Sequence, residues 1–435
     1  MKLTWFSPLP PDQTDIGSLT ARILPALASR FDLKVYTSTS KWESSLGKLC
    51  PISSFNTPSM DWKALHHEGL PVYHIGNHIR FHGEIITAAK KCPGIVVLHD
   101  LAVHETILNL CMEKGRGLAE YFDILCRFCG HEAVEHGRDF LEKRVVNNDK
   151  LVMEYPLFEY IVENSLGIIT HNPLSVHPIR KYSSAPVMYA PLPFLPEADL
   201  QPEIRRQKRD NGPYQIIIFG FMENPNRRLR PFLEAFSKTP SKDRFKVIIA
   251  GKYDEKQLKQ WLGELDLHGS VTTKGFVSNK GLDKLLGESD LSINLRWPSR
   301  GESSGSLLRQ WNFSLPALVT NTAYYSTLPG ETVATVSPSN EEADIIRHLE
   351  AFCEDPDPYF QMGLAGRKLL EEHHTGEVFA SHLESFLPMV DSSRGTPYLQ
   401  TFGKRLARDF LSDYAIPEAR PALMERCAGE LESWT

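Results

Sequence analysis

The chain has 435 residues, of which 41% are hydrophobic and 23% are charged, and its formal net charge is −6. This composition is typical of a globular protein, and the negative charge argues against a nucleic-acid-binding surface. The length is sufficient for two domains, each with its own core. The sequence lacks a signal-peptide core and the apolar run of about 18 residues that a transmembrane helix needs. It therefore predicts a cytoplasmic protein without a transmembrane segment, although peripheral membrane contact stays open.

The first half of the chain alternates predicted strands and helices. It opens with a strand at 3–7, a loop at 8–15 and a helix at about 16–30, in which Pro25 is expected to cause a kink. Strand, loop and helix in this order are how a parallel sheet commonly begins. Further strands are predicted at 33–36, 71–75, 94–98, 167–170 and 187–189. Residues 1–200 are therefore expected to form an N-terminal Rossmann-like domain.

One segment of this half has the spacing of zinc ligands. Two residues separate Cys126 from Cys129, and His131 and His136 follow closely. Residues 118–145, however, repeat apolar residues at helical spacing, which makes both cysteines ordinary helix-face residues. No second ligand pair lies at a suitable distance. The seven cysteines are therefore predicted to be reduced thiols, and no metal site is predicted.

The second half begins after a polar and basic stretch at 201–213, which is predicted to be a solvated interdomain linker. Strands and helices alternate again beyond it, so 214–388 is expected to form a C-terminal Rossmann-like domain. Its strands are predicted at 215–219, 246–250, 271–274, 291–295, 317–320 and 333–336. A helical tail with an apolar face is predicted at 389–435. The predicted fold class is α/β, with two doubly wound Rossmann-like domains facing each other across a cleft.

The most informative segment is 296–310, which joins a predicted strand to a helix through small, donor-rich residues. The residues that offer backbone N–H groups there are Ser303, Ser304, Gly305 and Ser306. With the positive end of the helix dipole, they predict an anion site at the carboxyl edge of a parallel sheet.

Two neighbours of this anion site carry polar side chains. Glu302 would repel a phosphate, so it is expected to accept hydrogen bonds from neutral hydroxyls of the same ligand. The alternative, that Glu302 only caps or solvates the helix, stays open. Gln310 lies about 9 Å beyond Ser304 along the helix axis. A sugar attached to a nucleoside diphosphate has both anionic and hydroxyl parts, so the segment predicts a nucleotide-sugar site.

Polar or flexible residues also follow other predicted strands. Gly17 stands at the first strand-to-helix turn, where a missing side chain lets backbone approach a ligand. His99 ends an apolar strand, and the strand ending at Gly220 leads into Arg227 and Arg228. Each has a simpler explanation as a helix-start glycine, a strand-end histidine or a surface cation. Together, at corresponding sheet edges, they favour a ligand site.

With these residues in view, residues 3–387 resemble a retaining family-4 glycosyltransferase with the two-domain GT-B fold. The segments that carry the resemblance are 7–11 with Gly17, Tyr73-His74-Ile75-Gly76-Asn77, Val97-Leu98-His99-Asp100, 219–229 and 301–310. The resemblance implies that the N-terminal domain is on the acceptor side and the C-terminal domain on the nucleotide-sugar side.

The resemblance also implies roles for residues on both domains. Gly17 would lie close to the donor phosphates, and His99 would contact the transferred sugar. Arg227, where the family usually has Lys, would neutralise the diphosphate leaving group. The family often has Arg after the strand-end Gly220, but this chain has Phe221. Arg228 and Arg230 are the candidates to replace that missing cation.

The family's paired glutamates stand eight positions apart, the first on the sugar hydroxyls and the second on the nucleoside ribose. Glu302 fits the first position, but the second is Gln310. A neutral amide can bind a ribose hydroxyl only without charge assistance, so donor affinity is expected to be lower. The resemblance implies backbone contacts to the base near Val277.

The sequence thus predicts a metal-independent, retaining hexosyltransferase that moves a sugar from a nucleoside-diphosphate sugar to an acceptor hydroxyl in glycan or glycoconjugate synthesis. No cofactor is expected beyond the donor substrate, and the acceptor, whether glycan, lipid-linked or protein, is undetermined. A catalytically weak nucleotide-sugar-binding or scaffold protein of the same fold is the alternative. An epimerase or a phosphorylase of this architecture is a further one.

Overall fold

The computed structural model describes residues 1–113, 115, 117–142, 148–194, 206–207 and 213–393. The described residues divide into two compact units, one formed by those of 1–190 with those of 379–393, the other by those of 191–378. Within the described ranges, no helix is long and apolar enough to cross a membrane.

Unit 1 is built on a seven-stranded parallel sheet in the order β3-β2-β1-β4-β5-β6-β7. The strands are β1 (Lys2–Phe6), β2 (Asp32–Thr37), β3 (Ile52–Ser54), β4 (Leu70–Ile75), β5 (Ile95–Leu98), β6 (Gly167–Thr170) and β7 (Val187–Tyr189). Every residue of β4, β5 and β6 is buried, because helices cover both faces of such a sheet. The strand order reverses direction between β1 and β4.

The helices of unit 1 follow the strands or form the long insertion between β5 and β6. They are α1 (Asp15–Arg30), α2 (Trp62–Glu68), α3 (Ile79–Lys91), α4 (His104–Glu113), α5 (Gly117–Cys129), α6 (His131–Leu141), α7 (Asn148–Glu154), α8 (Phe158–Val162) and α9 (Val176–Tyr182). The helix predicted over 118–145 is divided at Gly130, which has a φ of +87°. Pro25 lies inside α1, and the kink stays a prediction.

Unit 2 is built on a six-stranded parallel sheet in the order β10-β9-β8-β11-β12-β13. Its strands are β8 (Tyr214–Phe221), β9 (Phe245–Lys252), β10 (Val271–Gly275), β11 (Leu291–Asn294), β12 (Ala317–Thr320) and β13 (Ala334–Val336). Its helices are α10 (Leu229–Lys238), α11 (Glu255–Glu264), α12 (Asn279–Glu288), α13 (Gly305–Asn312), α14 (Glu341–Glu354) and α15 (Asp357–His373). The prediction of two doubly wound α/β domains is confirmed.

The last described helix, α16 (Gly376–Ser393), begins in unit 2 and continues in unit 1. Phe379 packs edge-on against Trp5 with the ring centroids 6.4 Å apart. A Cβ atom at Gly167 would lie 2.7 Å from Val390 and 3.0 Å from Phe386, so only glycine lets this helix approach β6. The structure thus differs from the predicted boundary at residue 388, and 394–435 lie outside the described residues.

The predicted linker at 201–213 is described only at residues 206, 207 and 213. Arg206 is not a solvated cation, because its guanidinium donates to four backbone carbonyls of unit 2. The acceptors are the oxygens of Leu286 (3.2 Å), Ser289 (2.7 Å), Phe313 (2.8 Å) and Ser314 (2.7 Å). Burial lowers the pKa of Arg206 to about 10. The residue therefore anchors this segment to unit 2.

Candidate functional site

The candidate site of unit 2 lies where its sheet reverses strand order, between β8 and β11. Open α/β sheets bind ligands at such a point, outside the carboxyl ends of the strands. The loops that follow β8 and β11 meet there. The N–H of Trp297 donates to the carbonyl of Asn226 over 2.8 Å, and the Asn226 amide donates to the carbonyl of Pro298 over 3.5 Å. Asn226, which was not predicted as a site residue, therefore ties the two loops together.

The loop after β8 needs glycine at its start. Gly220 has a φ of +119° and Gly251 on the next strand has a φ of +130°. A Cβ atom at Gly251 would lie 2.1 Å from the carbonyl oxygen of Gly220, and one at Gly220 would lie 3.9 Å from Nη2 of Arg227. Arg227 ends a 3₁₀ turn that Asn224 caps through a 3.2 Å bond to the Asn226 N–H. Gly220, which has no side chain, thus places the backbone near the end of β8 beside Arg227, the predicted cation.

The two arginines near Arg227, Arg228 and Arg230, form ion pairs with glutamates. Arg228 adopts a left-handed conformation with a φ of 58°, and its Nε donates to both carboxylate oxygens of Glu341 over 3.0 and 3.1 Å. Arg230 contacts Glu234 at 2.7 Å and Glu264 at 2.8 Å. Hydrogen bonds to these carboxylates raise the pKa of both guanidiniums. These carboxylates would compete with a phosphate for both side chains.

The loop after β11 is organised around Glu302, whose carboxylate accepts hydrogen bonds from several residues of the loop. Oε1 accepts from Nη1 of Arg296 over 2.6 Å, while Oε2 accepts from the Arg300 N–H over 2.6 Å and the Ser299 hydroxyl over 3.2 Å. The side chains of Arg296 and Glu302 are only 9% and 15% exposed, so this ion pair is nearly buried. Gly301, with a φ of +82°, makes the tight turn between them.

The charge of Glu302 is therefore stabilised in the folded protein. Burial alone would raise the pKa of its carboxyl, but the Arg296 guanidinium and the N–H groups of Glu302 and Arg300 outweigh burial and lower it below 4.5. A carboxyl with a lowered folded-state pKa stabilises the fold above its unfolded pKa, and this stabilisation is lost as the pH falls through the folded-state value.

We expect the stabilisation by the ionised Glu302 carboxylate to appear in the pH dependence of the free energy of unfolding. Glu302→Gln should lower the free energy of unfolding most at about pH 7, and the difference from wild type should shrink below about pH 4.5, where protonated glutamate resembles glutamine. Urea unfolding of both proteins at several pH values measures this. A difference that stays constant down to about pH 3 would contradict the ion pair.

The first turn of α13 lies next to this loop. Ser304 is the N-cap, accepting from the Leu307 N–H over 3.2 Å. Gly305 and Ser306 stand in the first turn, where N–H groups have no intrahelical acceptor. A Cβ atom at Gly305 would meet no described atom within 4 Å, so the space beside Gly305 is open. This geometry suits an anion.

Beneath the first turn lies a buried polar network that the sequence analysis missed in part. The Asn294 amide donates to Gln310 Oε1 over 3.3 Å and its oxygen accepts from Ser306 over 3.2 Å. The Tyr325 hydroxyl donates to Ser304 over 2.9 Å. Gln310 itself is only 1% exposed. Asn294 could have been found, because it is a polar residue at the end of an apolar strand.

Several exposed aromatic side chains and one tight turn border this edge of the sheet. Gly275 has a φ of +58°, and its N–H donates to the Tyr253 hydroxyl over 2.9 Å. Phe276, which follows it, is 72% exposed, and Phe221, the last residue of β8, is 54% exposed. Val277 is partly buried. The predicted contact of the base with the backbone near Val277 stays a prediction.

Two predicted site residues lie in unit 1, again at the carboxyl ends of strands. Gly17 is in the first turn of α1, where a Cβ atom would lie 3.0 Å from Thr14 and 3.4 Å from the backbone nitrogen of Leu9. His99 follows β5, and its Nε2 lies 2.9 Å from Nδ1 of His74. Unit 2 contains the other predicted site residues, which comprise Gly220, Val277, Arg227, Arg228, Glu302, Ser303, Ser304, Gly305, Ser306 and Gln310.

The sequence was compared with models of protein families and with curated proteins. Residues 201–369 match the family model described as glycosyl transferases group 1. A search of curated proteins finds no match.

Several solved structures are similar to this protein along nearly the whole chain. The Anabaena protein HepE, solved in complex with UDP, has a TM-score of 0.58 and 12% identity, over 89% of this chain and 100% of that chain. Sucrose-phosphate synthase from Thermosynechococcus elongatus has a TM-score of 0.60 and 13% identity, over 90% of this chain and 99% of that chain. WaaG, a glycosyltransferase involved in lipopolysaccharide biosynthesis, has a TM-score of 0.56 and 12% identity, over 87% of this chain and 98% of that chain. The chain therefore has the two-domain GT-B fold of these structures, and its second unit matches the model for glycosyl transferases group 1.

Proposed function

We propose that this protein transfers a sugar from a nucleoside-diphosphate sugar to an acceptor hydroxyl, and that unit 2 binds the donor at the reversal point of its sheet. The observation that carries the proposal is the junction of the loops after β8 and β11. There Arg227 and the first turn of α13 supply positive charge and N–H donors, within a segment that matches glycosyl transferases group 1. Similar structures contain UDP or UDP-glucose, so a uridine nucleotide is the first donor class to test.

The proposed chemistry follows from charge. When the bond between the anomeric carbon and the phosphate oxygen breaks, negative charge grows on the diphosphate and positive charge on the sugar ring. Arg227 and the N–H groups of Gly305 and Ser306 would stabilise the diphosphate, as preorganised donors do in other enzymes. The leaving phosphate then takes the proton of the acceptor hydroxyl on the same face, which gives retention without a protein base.

Glu302 would accept a hydrogen bond from a sugar hydroxyl in competition with the donors of its own loop. An ionised carboxylate offers about four acceptor sites, and Arg296, Ser299 and the N–H groups of Arg300 and Glu302 already donate to it. A sugar hydroxyl would therefore share an oxygen with one of these donors or replace it. Because Arg296 balances the charge, Glu302 can stand near a diphosphate with less repulsion than an isolated carboxylate.

Other parts of the proposal rest on the family resemblance. The cytoplasm as the location is expected from the apolar pattern of the sequence, whereas retention, independence from metal ions and glycan or glycoconjugate synthesis as the setting are such expectations. So are the contacts of Gly17 with the donor phosphates and of His99 with the transferred sugar.

The alternative function is a catalytically weak nucleotide-sugar-binding or scaffold protein. It is favoured by Phe221 and Gln310, and by the ion pairs that occupy Arg228 and Arg230. These carboxylate partners would hinder either cation from replacing the arginine that the family often has after the strand-end glycine. An epimerase or a phosphorylase is distinguished by its products, since neither releases nucleoside diphosphate while forming a glycoside with an acceptor hydroxyl.

The substitution Gln310→Glu separates the ribose contact from the rest of the site. Because Gln310 is buried, a carboxylate there should lower the melting temperature of the free protein. Bound ribose hydroxyls would then make charge-assisted hydrogen bonds, so the increase in melting temperature with UDP should be larger than in wild type. A smaller increase would show that residue 310 does not contact the ribose.

Binding and turnover test the proposal in sequence. Thermal shifts with a panel of nucleoside diphosphates identify the base, since a ligand of the native state stabilises it by mass action. Release of that diphosphate from its sugar conjugates, with and without candidate acceptor hydroxyls, then distinguishes a transferase from a binding protein. Strong binding with no release from any donor would favour the scaffold.

A further inference from the structure

Unit 1 contains a chain of histidines at the carboxyl end of its sheet. Nδ1 of His74 lies 2.9 Å from Nε2 of His99, and the two ring centroids are 5.1 Å apart. The His171 ring is tilted by 49° to that of His99, with a centroid distance of 4.9 Å. Trp5 packs against His74 at 4.6 Å. The His99 ring thus contacts two imidazoles, and His74 also forms a hydrogen bond with it.

His74 and His99 are neutral near pH 7. Burial, followed by the repulsion of neighbouring imidazoles, lowers the pKa of His74 and of His99 well below the ordinary value of 6.5. Burial lowers the pKa of His82, whose ring lies beneath them, to about 4. A neutral imidazole has one N–H donor and one bare nitrogen acceptor. The proton on each ring must therefore occupy one definite nitrogen.

The surroundings of His74 decide where its proton lies. Its Nε2 is buried and has no hydrogen-bond partner in the part of the chain that the structure describes. A proton on Nε2 would leave a buried N–H donor unsatisfied, which is costly. A proton on Nδ1 instead bonds to Nε2 of His99. The adjacent ring of His82 follows the same pattern, since its Nδ1 donates to the carbonyl of His74 over 3.0 Å.

We infer that His74 is a positioning residue that fixes His99 as the Nδ1–H tautomer. Because Nε2 of His99 accepts the bond from His74, the proton of His99 must reside on Nδ1. His99 then offers its ligand a hydrogen-bond donor and no basic nitrogen. If the proposed function holds, on which this last step rests, His99 donates to a sugar oxygen and cannot remove a proton from the acceptor.

The tautomer can be observed directly by NMR of the full chain carrying ¹⁵N-labelled histidine, with His99 assigned by the signals lost in His99→Gln. We expect a protonated Nδ1 and a bare Nε2 on His99. His74→Phe keeps a ring against Trp5 but removes the donor, so it should abolish this preference. His74→Asn, whose amide can donate from the same position, should keep it. His171→Phe is the matched control, since it keeps an aromatic ring beside His99 and leaves the His74 donor in place, and it should leave the tautomer unchanged.

A wild-type His99 protonated at Nε2, or a tautomer that His74→Phe leaves intact, would overturn the inference. If His74→Phe does not fold, the wild-type spectrum and His74→Asn decide, and loss of the tautomer in His74→Asn overturns it. His74→Phe should lower the turnover rate about tenfold relative to wild type, and His74→Asn should lower it much less. The expected spectrum in a protein that releases no nucleoside diphosphate would keep the tautomer assignment and refute the proposed function.

Discussion

Arg227→Ala is expected to lower turnover by on the order of 10²- to 10³-fold, because it removes the cation that meets the growing charge of the diphosphate. Arg228 and Arg230 cannot easily replace it, since both are paired with glutamates. Arg227→Lys should recover much of the activity, because a point charge also serves a phosphate. The measurements are turnover and nucleoside-diphosphate affinity for each variant.

The matched control for Arg227→Ala is Arg230→Ala. Arg230 lies on the same segment, but its partners are the partly exposed Glu234 and Glu264, so this variant should keep wild-type turnover and lose about 1 kcal/mol of stability or less. Arg228→Ala is a poorer control, since it leaves the nearly buried Glu341 without its partner. Wild-type turnover in Arg227→Ala would mean that the diphosphate is held elsewhere.

The second large effect is expected for Glu302→Gln, which should lower turnover by on the order of 10²-fold or more as a charged acceptor is lost from the sugar. The sequence alone predicts that the fold stays intact. The structure changes this expectation, because the variant leaves the guanidinium of Arg296 nearly buried without its carboxylate. Breaking such a pair costs about 3 kcal/mol of stability.

A double variant separates the two roles of Glu302. Replacing a buried ion pair by neutral groups is often close to neutral in stability, so Arg296→Met with Glu302→Gln should recover most of the lost stability. Turnover should stay low, because the charged acceptor is still missing. Urea unfolding and donor turnover are measured on the wild type, both single variants and the double variant. Recovery of turnover along with stability would show that Glu302 only orders its loop.

The sequence predicts the sheets well because their strands are short apolar runs buried on both faces. β6 and β12 match their predicted bounds, and the loop and helix around α13 are where the small residues indicate. β3 was missed, since its three residues are at the sheet edge and only partly buried or exposed. An edge strand of this kind has no apolar run to reveal it.

The contacts of the site were harder to predict, because they join residues through three-dimensional packing. Arg296 and Glu302 stand six positions apart with no pattern that indicates an ion pair. The bond between His74 and His99 connects neighbouring strands that are separated by a helix. Arg206 belongs to a basic run that resembles a solvated linker, yet its carbonyl partners come from distant segments.

The central claim is that the reversal point of the unit 2 sheet binds and activates a nucleoside-diphosphate sugar. Release of nucleoside diphosphate from a panel of such donors, measured in parallel for wild type, Arg227→Ala and Arg230→Ala, tests it most directly. We predict that at least one donor is cleaved by wild type and Arg230→Ala, while Arg227→Ala releases on the order of 10²-fold less. Equal release by all three proteins, or neither binding nor release of any donor by wild type, would contradict the claim.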